Sequence, residues 1–302
     1  MKLLVTGGAG FIGSHLVDRL IQDGHSVLII DNLSTGKRQN INPKADFHKL
    51  DICDFEKIKP LFKNIDVVFH LAALPRTPFS IKEPVKTSKV NILGTISVFT
   101  AASQEGVKRV VFSSSSSVYG NQKMMPFREK MKPFPISPYA LQKFTGEEFS
   151  KLFTDLYKLP VVSLRYFNVY GPRTDFESTY GLVVGKFLKL NKDGKPLIIF
   201  GSGDQTRDFV YIDDVVEATI LAGQSSKIKG REVINIGSGK PVSINYLAKL
   251  IGGRIEHLPI RSGDTLHTDA NIALAKKLLG WQPRTSFEDG LEKTKNWFKD
   301  LK

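Results

Sequence analysis

In the first half of the chain, short apolar runs alternate with stretches whose apolar positions recur at helical spacing. Lys2–Thr6, Ser26–Asp31, Asp66–Ala72, Arg109–Ser113 and Pro160–Tyr166 read as strands. Gly13–Asp23, a long stretch from about Val85 to Glu105, and Pro138–Tyr157 read as helices between them. Strand, helix and strand in repeated succession build a parallel sheet covered on both faces, with right-handed crossovers. After Tyr166 the rhythm loosens. Loops carrying Gly171, Pro172, Gly201 and Gly203 separate shorter elements, with helices expected near Ile212–Gly223, Ile244–Ile251, Asn271–Leu279 and Phe287–Leu301.

The fold class predicted is therefore α/β: a Rossmann-type doubly wound parallel sheet with a smaller, interleaved α/β substrate-binding lobe. At roughly 100–200 residues per domain, 302 residues suit two lobes. Residues 1–165 would form the first, with part of 205–236, and 166–302 mainly the second. Hydrophobic residues at 41% and charged residues at 24% exclude disorder throughout. No apolar run approaches the ~20 residues that span a bilayer, so no membrane partner is expected. No secretory leader precedes Met1–Val5, and the single Cys53 offers neither an internal disulfide nor a metal cluster, which together suit a reduced, cytoplasmic setting.

The charge is the unusual bulk property, with 43 basic against 30 acidic residues, or +13. Such a balance suits nucleic acid, an anionic surface or a phosphorylated ligand. The lysines are scattered, however, and Lys186, Lys189, Lys192 and Lys195 read as the wet face of one helix. No nucleic-acid partner is expected; salt-dependent DNA binding would be the sign of one.

Chemistry first becomes legible where Leu3-Leu4-Val5-Thr6 runs into Gly7-Gly8-Ala9-Gly10-Phe11-Ile12-Gly13. A strand that turns into a helix through glycines brings backbone N–H groups and the helix N-terminus against a pyrophosphate. Asp31, 18 residues past Gly13 and at the end of the second strand, would accept hydrogen bonds from adenosine ribose hydroxyls. The same carboxylate would repel the extra phosphate of NADP, so NAD is the cofactor expected. Asp51 and Ile52 follow a third strand and could face the adenine. Leu71, Ala72 and Ala73 end the fourth with small residues, as close backbone approach requires.

Tyr139 and Lys143 are spaced i, i+4, on one face of a helix that Ser137 would cap and Pro138 would open. A phenol with pKa near ~10 is a poor base at neutral pH, but an adjacent ammonium and an oxidised nicotinamide would both lower it. Ser115, at the end of the Val110-Val111-Phe112 strand, could hydrogen-bond the same substrate hydroxyl.

These motifs resemble the extended short-chain dehydrogenase/reductase family, and within it the nucleotide-sugar 4-epimerases, over essentially the whole chain. Added to the glycine turn are Asp31-Asn-Leu-Ser-Thr-Gly36, His70-Leu-Ala-Ala73, Ser113-Ser-Ser-Ser-Ser-Val-Tyr-Gly120 and Ser137-Pro-Tyr-Ala-Leu-Gln-Lys143. Arg165-Tyr-Phe-Asn-Val-Tyr-Gly-Pro-Arg173, Arg207-Asp-Phe-Val-Tyr-Ile-Asp213, Arg261-Ser-Gly-Asp264 and Leu279-Gly-Trp281 complete the set. The resemblance implies a reversible oxidation at the sugar C4, with Tyr139 as base, Lys143 holding the nicotinamide ribose and Ser115 orienting the hydroxyl. It adds Phe11, Ile12, Asn32, Ser34, Thr35, Gly36, Asn91, Ser113 and Tyr166 to the NAD site, with Asn91 helping to position the catalytic region and Tyr166 and Phe167 beside the nicotinamide. It assigns Asn168, Phe200, Arg207, Arg261 and Asp264 to the uridine diphosphate of a UDP-sugar, and a homodimer formed through the Val85–Glu105 and Pro138–Tyr157 helices. The paired donors of a guanidinium suit a diphosphate.

Within that family Ser116 and Ser117 stand where dehydratases carry acidic residues, and the second where UDP-glucuronate decarboxylases carry Glu, which disfavours those chemistries. Thr268 occupies the position that gates the sugar C2 substituent. A small residue there admits an N-acetyl group, which Ser116 could hydrogen-bond. UDP-GlcNAc/UDP-GalNAc together with UDP-Glc/UDP-Gal are the substrates expected. A UDP-glucuronate 4-epimerase is the alternative and would need a cation for the carboxylate, for which Arg76 is the candidate. A catalytically silent NAD-binding regulator on the same fold is a further alternative, although such proteins usually lose the Tyr or the Lys. Gly185 is a departure, standing where close relatives often place Pro.

Overall fold

A computed structural model describes residues 1–176, 182–259 and 266–301. Its centre is a seven-stranded sheet in the order β11-β6-β5-β4-β1-β2-β3, every neighbouring pair parallel. The strands are β1 Lys2–Thr6, β2 Ser26–Ile30, β3 Asp46–His48, β4 Val67–His70, β5 Arg109–Ser115, β6 Val161–Tyr166 and β11 Val233–Ile236. Successive residues of a strand point to opposite faces, and the apolar runs serve two cores accordingly. Leu3 and Val5 join Leu16, Val17 and Leu20 of α1 (Phe11–Gln22) and Val215 of α8 (Ile212–Gln224). Leu4, Val68 and Val110 join Phe62, Phe99 of α5 (Thr95–Gln104) and Phe153 of α6 (Pro138–Tyr157) on the other face.

The helix expected over Val85–Glu105 comprises α4 (Pro84–Ser88), a π-helical turn at Lys89–Gly94 and then α5. The widened turn accompanies two packing demands. Gly94 lies so close to Ile52 that a Cβ there would stand 2.6 Å from its Cδ1. Asn91 reaches sideways, accepting from Leu74 N–H at 2.7 Å and donating to Leu74 O and Gln142 Oε1.

Beyond β6 the chain forms three two-stranded ladders. β7 (Asn168–Tyr170) pairs with β10 (Phe209–Tyr211), β8 (Leu197–Phe200) with β13 (Ile255–Leu258), and β9 (Thr206–Arg207) with β12 (Val242–Ser243). α7 (Val183–Lys192), α9 (Ile244–Ile251) and α11 (Phe287–Lys299) accompany them. The chain then returns through β11, which extends the main sheet beside β6, and α8 packs against α1. One apolar core, running from Leu3 to Phe298, joins the two parts. Lys195 lies outside α7, past the left-handed Gly194, and Lys186 and Lys189 line a cavity. The single wet lysine face expected from the sequence is therefore corrected: Lys195 is not on the helix, and Lys186 and Lys189 border the cavity half-exposed, Lys189 also pairing with Asp193 at 2.9 Å.

Candidate active site

The strand order reverses at β1, which lies between β2 and β4, so the loops leaving these strands diverge and open a crevice at their C-terminal ends. Glycine is required on its floor. Gly7 has φ +75°, and a Cβ on it would stand 2.7 Å from the backbone N of Ala72. A Cβ on Gly13 would stand 2.1 Å from Gly7 O. Gly10 caps α1 without a side chain, so nothing from the cap covers the first-turn N–H groups of Phe11, Ile12 and Gly13. At the end of β2 the Asp31 carboxylate accepts from Ala9 N–H at 3.0 Å and Leu33 N–H at 2.8 Å. Burial pushes its pKa up, against those two bonds. Gly36 closes the same corner, where a Cβ would stand 2.9 Å from Asp31 Oδ2, and Ser34 and Thr35 are exposed on the loop before it. Asn32 donates to Asp51 at 3.0 Å and accepts from Ser34 N–H, and Asp51 also accepts from Cys53 N–H at 2.8 Å. An open helix end, a carboxylate with lone pairs left and glycines at each close approach fit a dinucleotide.

Three of the expected NAD residues direct their side chains elsewhere. Ile52 lies in the core under Gly94, Asn91 is engaged by Leu74 and Gln142, and the Tyr166 hydroxyl meets Thr219 Oγ1 at 2.8 Å. Phe167 packs with Val118, Tyr119 and Phe127. Asn91, expected to help position the catalytic region, ties the loop after β4 to α6 through its amide.

Ser137 caps α6 by accepting from Ala140 N–H at 3.2 Å, with Pro138 in the first turn. That fixes Tyr139 and Lys143 on the helix face toward β5. Lys143 Nζ donates to Ser113 O at 2.7 Å and stands 5.9 Å from the Tyr139 ring centre. Burial lowers its pKa to about 7, with Glu147 opposing. The Tyr139 phenol hydrogen-bonds Ser115, whose Oγ also accepts from Ser117 N–H and Ser117 Oγ. Burial raises the Tyr139 pKa; the charge of Arg76 and the Ser115 bond oppose it. The sequence expectation made Lys143 the cation acting on this phenol, and its ammonium stands one turn along the same helix; Arg76 is a second cation within electrostatic reach. Nothing in the spacing pointed to that role, because Arg76 lies 63 residues before Tyr139.

Two further devices hold these groups. His70 joins Thr6 Oγ1 (2.7 Å) to Thr95 Oγ1 (3.0 Å), tying β4 to β1 and α5, and burial lowers its pKa to about 3, so it is neutral. Glu147, one turn beyond Lys143, receives Arg165 Nε at 2.9 Å, Arg165 Nη2 at 2.7 Å and Ser114 Oγ at 2.5 Å.

A cavity of about 650 Å³ is lined by Asn168, Phe200 and Arg207 together with Lys186, Lys189 and apolar side chains of α7 and β8. Arg207 Nη1 donates to the carbonyls of Thr206 and Leu266. Asn168 donates to Asp208 O and to Thr268 Oγ1, and Thr268 Oγ1 also accepts from Asp208 N–H at 3.0 Å. Ser116 begins the short helical turn that follows Ser115. Arg261 and Asp264 lie outside the described residues. Among the described residues no cluster of three or more His, Cys, Asp or Glu could hold a metal, and no helix is long and apolar enough to cross a membrane.

A dinucleotide crevice and a Ser-Tyr-Lys face beside it define a short-chain dehydrogenase-type enzyme site. A family profile described as the NAD dependent epimerase/dehydratase family matches residues 3–237, and the chain belongs to that family. The UDP-glucose 4-epimerase of Thermotoga maritima, solved with UDP-glucose, superposes with a TM-score of 0.95 at 40% identity, covering 99% of both chains. The UDP-N-acetylglucosamine 4-epimerase of Methanobrevibacter ruminantium, solved with UDP-N-acetylmuramic acid, gives 0.95 at 39%, covering 100% of this chain and 99% of that one. A UDP-glucuronate 4-epimerase of Thermodesulfobacterium geofontis is 40% identical over 319 residues, 98% of this chain and 96% of its own.

Proposed function

We infer that this protein interconverts UDP-hexoses epimeric at C4, reversibly, through a 4-keto sugar. The observation that carries the reading is the convergence of Ser115, Tyr139 and Lys143 beside the glycine crevice, in a chain that also forms a cavity lined by Asn168, Phe200 and Arg207. NAD held there would supply a reversible hydride acceptor for C4. Gly7, Gly10, Gly13 and the open end of α1 would hold its pyrophosphate, Asp31 its adenosine ribose and Lys143 its nicotinamide ribose. Tyr139 takes the 4-hydroxyl proton and, once the 4-keto sugar has turned its other face to the hydride donor, returns that proton to the 4-oxygen; Ser115 orients the oxygen throughout. Asn168, Phe200 and Arg207 hold the uridine diphosphate, with Arg261 and Asp264 assigned by motif alone.

Neutral hexoses, plain and N-acetylated, are the substrates we propose. The uronate reading draws on Arg76 and on the Thermodesulfobacterium relative. Against it, Asp175 lies within electrostatic reach of Arg76, so a sugar carboxylate placed there would also meet an anion. Proton NMR of the anomeric signals tests the assignment. Galacto isomers should appear from UDP-Glc and UDP-GlcNAc, and turnover of UDP-glucuronate alone would overturn it.

We further propose a homodimer. Ile81, Val85 and Leu93 on the α3–α5 side (α3, Thr77–Lys82), and Leu141, Leu152 and Leu156 along α6, are each between 49% and 83% exposed. That is a broad apolar surface for a lone chain. Light scattering should give twice the chain mass, and Leu152→Glu with Leu156→Glu should return it to one; a monomeric parent refutes the pairing.

A further inference from the structure

Asp208, between β9 and β10, is fully buried, and both oxygens of its carboxylate are occupied. Oδ1 accepts from Ser238 N–H at 2.6 Å and from Ser238 Oγ at 2.7 Å. Oδ2 accepts from Gly239 N–H and from Ala270 N–H, each at 2.9 Å. The two successive N–H groups come from the turn that leaves β11, where Gly239 takes φ +66°, and consecutive amides in such a turn form a concavity for an anion. Nothing larger than hydrogen fits beside them: a Cβ on Gly237 would stand 2.5 Å from Ala270 Cβ and 3.1 Å from Asp208 Oδ2. One side chain thus ties the end of the main sheet to the segment that carries Thr268 and Ala270.

The backbone of Asp208 carries that fixed point to the cavity. Asp208 N–H donates to Thr268 Oγ1 at 3.0 Å, and Asp208 O accepts from Asn168 N–H and from Asn168 Nδ2, each at 3.1 Å. Residues 266–270 run along β9: Thr206 N–H donates to Leu266 O, Thr268 N–H to Thr206 O, and Arg207 Nη1 to Leu266 O at 3.0 Å. Asn168 and Arg207, which line the cavity, are therefore held by segments that meet at this carboxylate. Asp214 offers a contrast. It is also buried and also accepts two backbone N–H groups, from Arg284 at 3.0 Å and Thr285 at 3.1 Å, but none of the three lines that cavity.

We propose that Asp208 is a positioning residue for the nucleotide end of the substrate: by holding the turn after β11 and the 266–270 segment together, its carboxylate sets Asn168 and Arg207 at the spacing a nucleoside diphosphate requires. The proposal rests on the UDP-hexose reading for its ligand. An amide in place of the carboxylate keeps the shape but turns one acceptor oxygen into a donor facing donors. At least one buried N–H then loses its partner, and the two segments move apart to relieve it.

In the NAD-loaded full chain, Asp208→Asn should bind UDP about tenfold more weakly by calorimetric titration and raise KM for UDP-glucose by a similar factor, with kcat and NAD affinity unchanged. Asp214→Asn removes a comparable buried acceptor away from the cavity, so it should lower the melting temperature and leave UDP affinity as it was. UDP affinity in Asp208→Asn equal to the parent's overturns the proposal. So does an equal loss of UDP and NAD affinity, or an Asp214→Asn variant that weakens UDP as much. If Asp208→Asn does not fold, Ser238→Ala, which removes one of the four donors, decides. UDP binding about threefold weaker at unchanged NAD affinity then sustains the proposal, and unchanged UDP binding refutes it. If the parent binds UDP but turns over no UDP-hexose, the 4-epimerase reading fails while the affinity results still decide on Asp208. A parent that binds no UDP refutes the UDP-hexose reading, and the proposal with it.

Discussion

Replacing Glu147 by Gln should destabilise the protein more than any surface change, and the structure gives the scale. Glu147 is 1% exposed and Arg165 3%, and the carboxylate takes two guanidinium N–H groups and the Ser114 hydroxyl. The neutral amide has the same shape, yet it turns one acceptor oxygen into a donor facing donors. Arg165 also stacks on Tyr119, 4.5 Å from the ring centre, and its Nη1 has no partner among the described residues, so the stranded cation would be left with only the more distant charge of Glu129, which forms no ion pair with it. Breaking one side of a buried ion pair typically costs about 3–5 kcal/mol. At about 2 °C per kcal/mol for a chain of this size, the melting temperature should fall about 6–10 °C. Calorimetry at neutral pH on parent, Glu147→Gln and the double variant Glu147→Leu/Arg165→Met makes the assay. The double variant should recover most of the loss, because the apolar pair leaves no buried charge. A single-variant loss under about 1 kcal/mol, or a double variant no better than the single, would refute the reasoning.

Gly13→Ala places a Cβ 2.1 Å from Gly7 O, a backbone atom that cannot move aside cheaply, so NAD affinity by calorimetric titration should fall at least about tenfold. Lys143→Met should abolish turnover yet raise the melting temperature at pH 7. The folded pKa near 7 lies below the ordinary lysine value, so the unfolded chain holds the extra proton between about pH 7 and 10.5 and parent stability climbs with pH across that window; a flat parent profile there would contradict the burial argument. Thr268→Tyr should lose UDP-GlcNAc turnover while keeping UDP-Glc. Thr268→Val separates size from bonding: it keeps the volume but leaves Asp208 N–H without its 3.0 Å acceptor, for a cost of about 1–3 kcal/mol in stability and unchanged sugar preference.

Local sequence determined what depends on local geometry. The run Thr6 to Gly13 dictates its own strand, turn and helix, because only glycine survives where Gly7 meets Ala72 and Gly13 meets Gly7 O. Ser137 and Pro138 start α6 at the predicted residue, and i, i+4 spacing then puts Tyr139 and Lys143 on one face whatever surrounds them. The parallel sheet followed equally from the alternation of apolar runs and helices.

Contacts between distant segments were decided only by the tertiary structure. The Arg76 backbone, at a positive φ that no residue preference announces, is tied to the first turn of α6 through Ser80. The apolar pattern over Val85–Glu105 is that of an ordinary helix; its π turn coincides with Gly94 packing on Ile52 and Asn91 reaching Leu74 and Gln142. Nothing in the sequence pairs Glu147 with Arg165; only the packing of β6 against α6 buries them together. Helical and strand periods are properties of neighbouring residues and are written in the chain. Burial, and the charge balance it enforces on Tyr139 and Lys143, belongs to surfaces that meet only when the sheet closes.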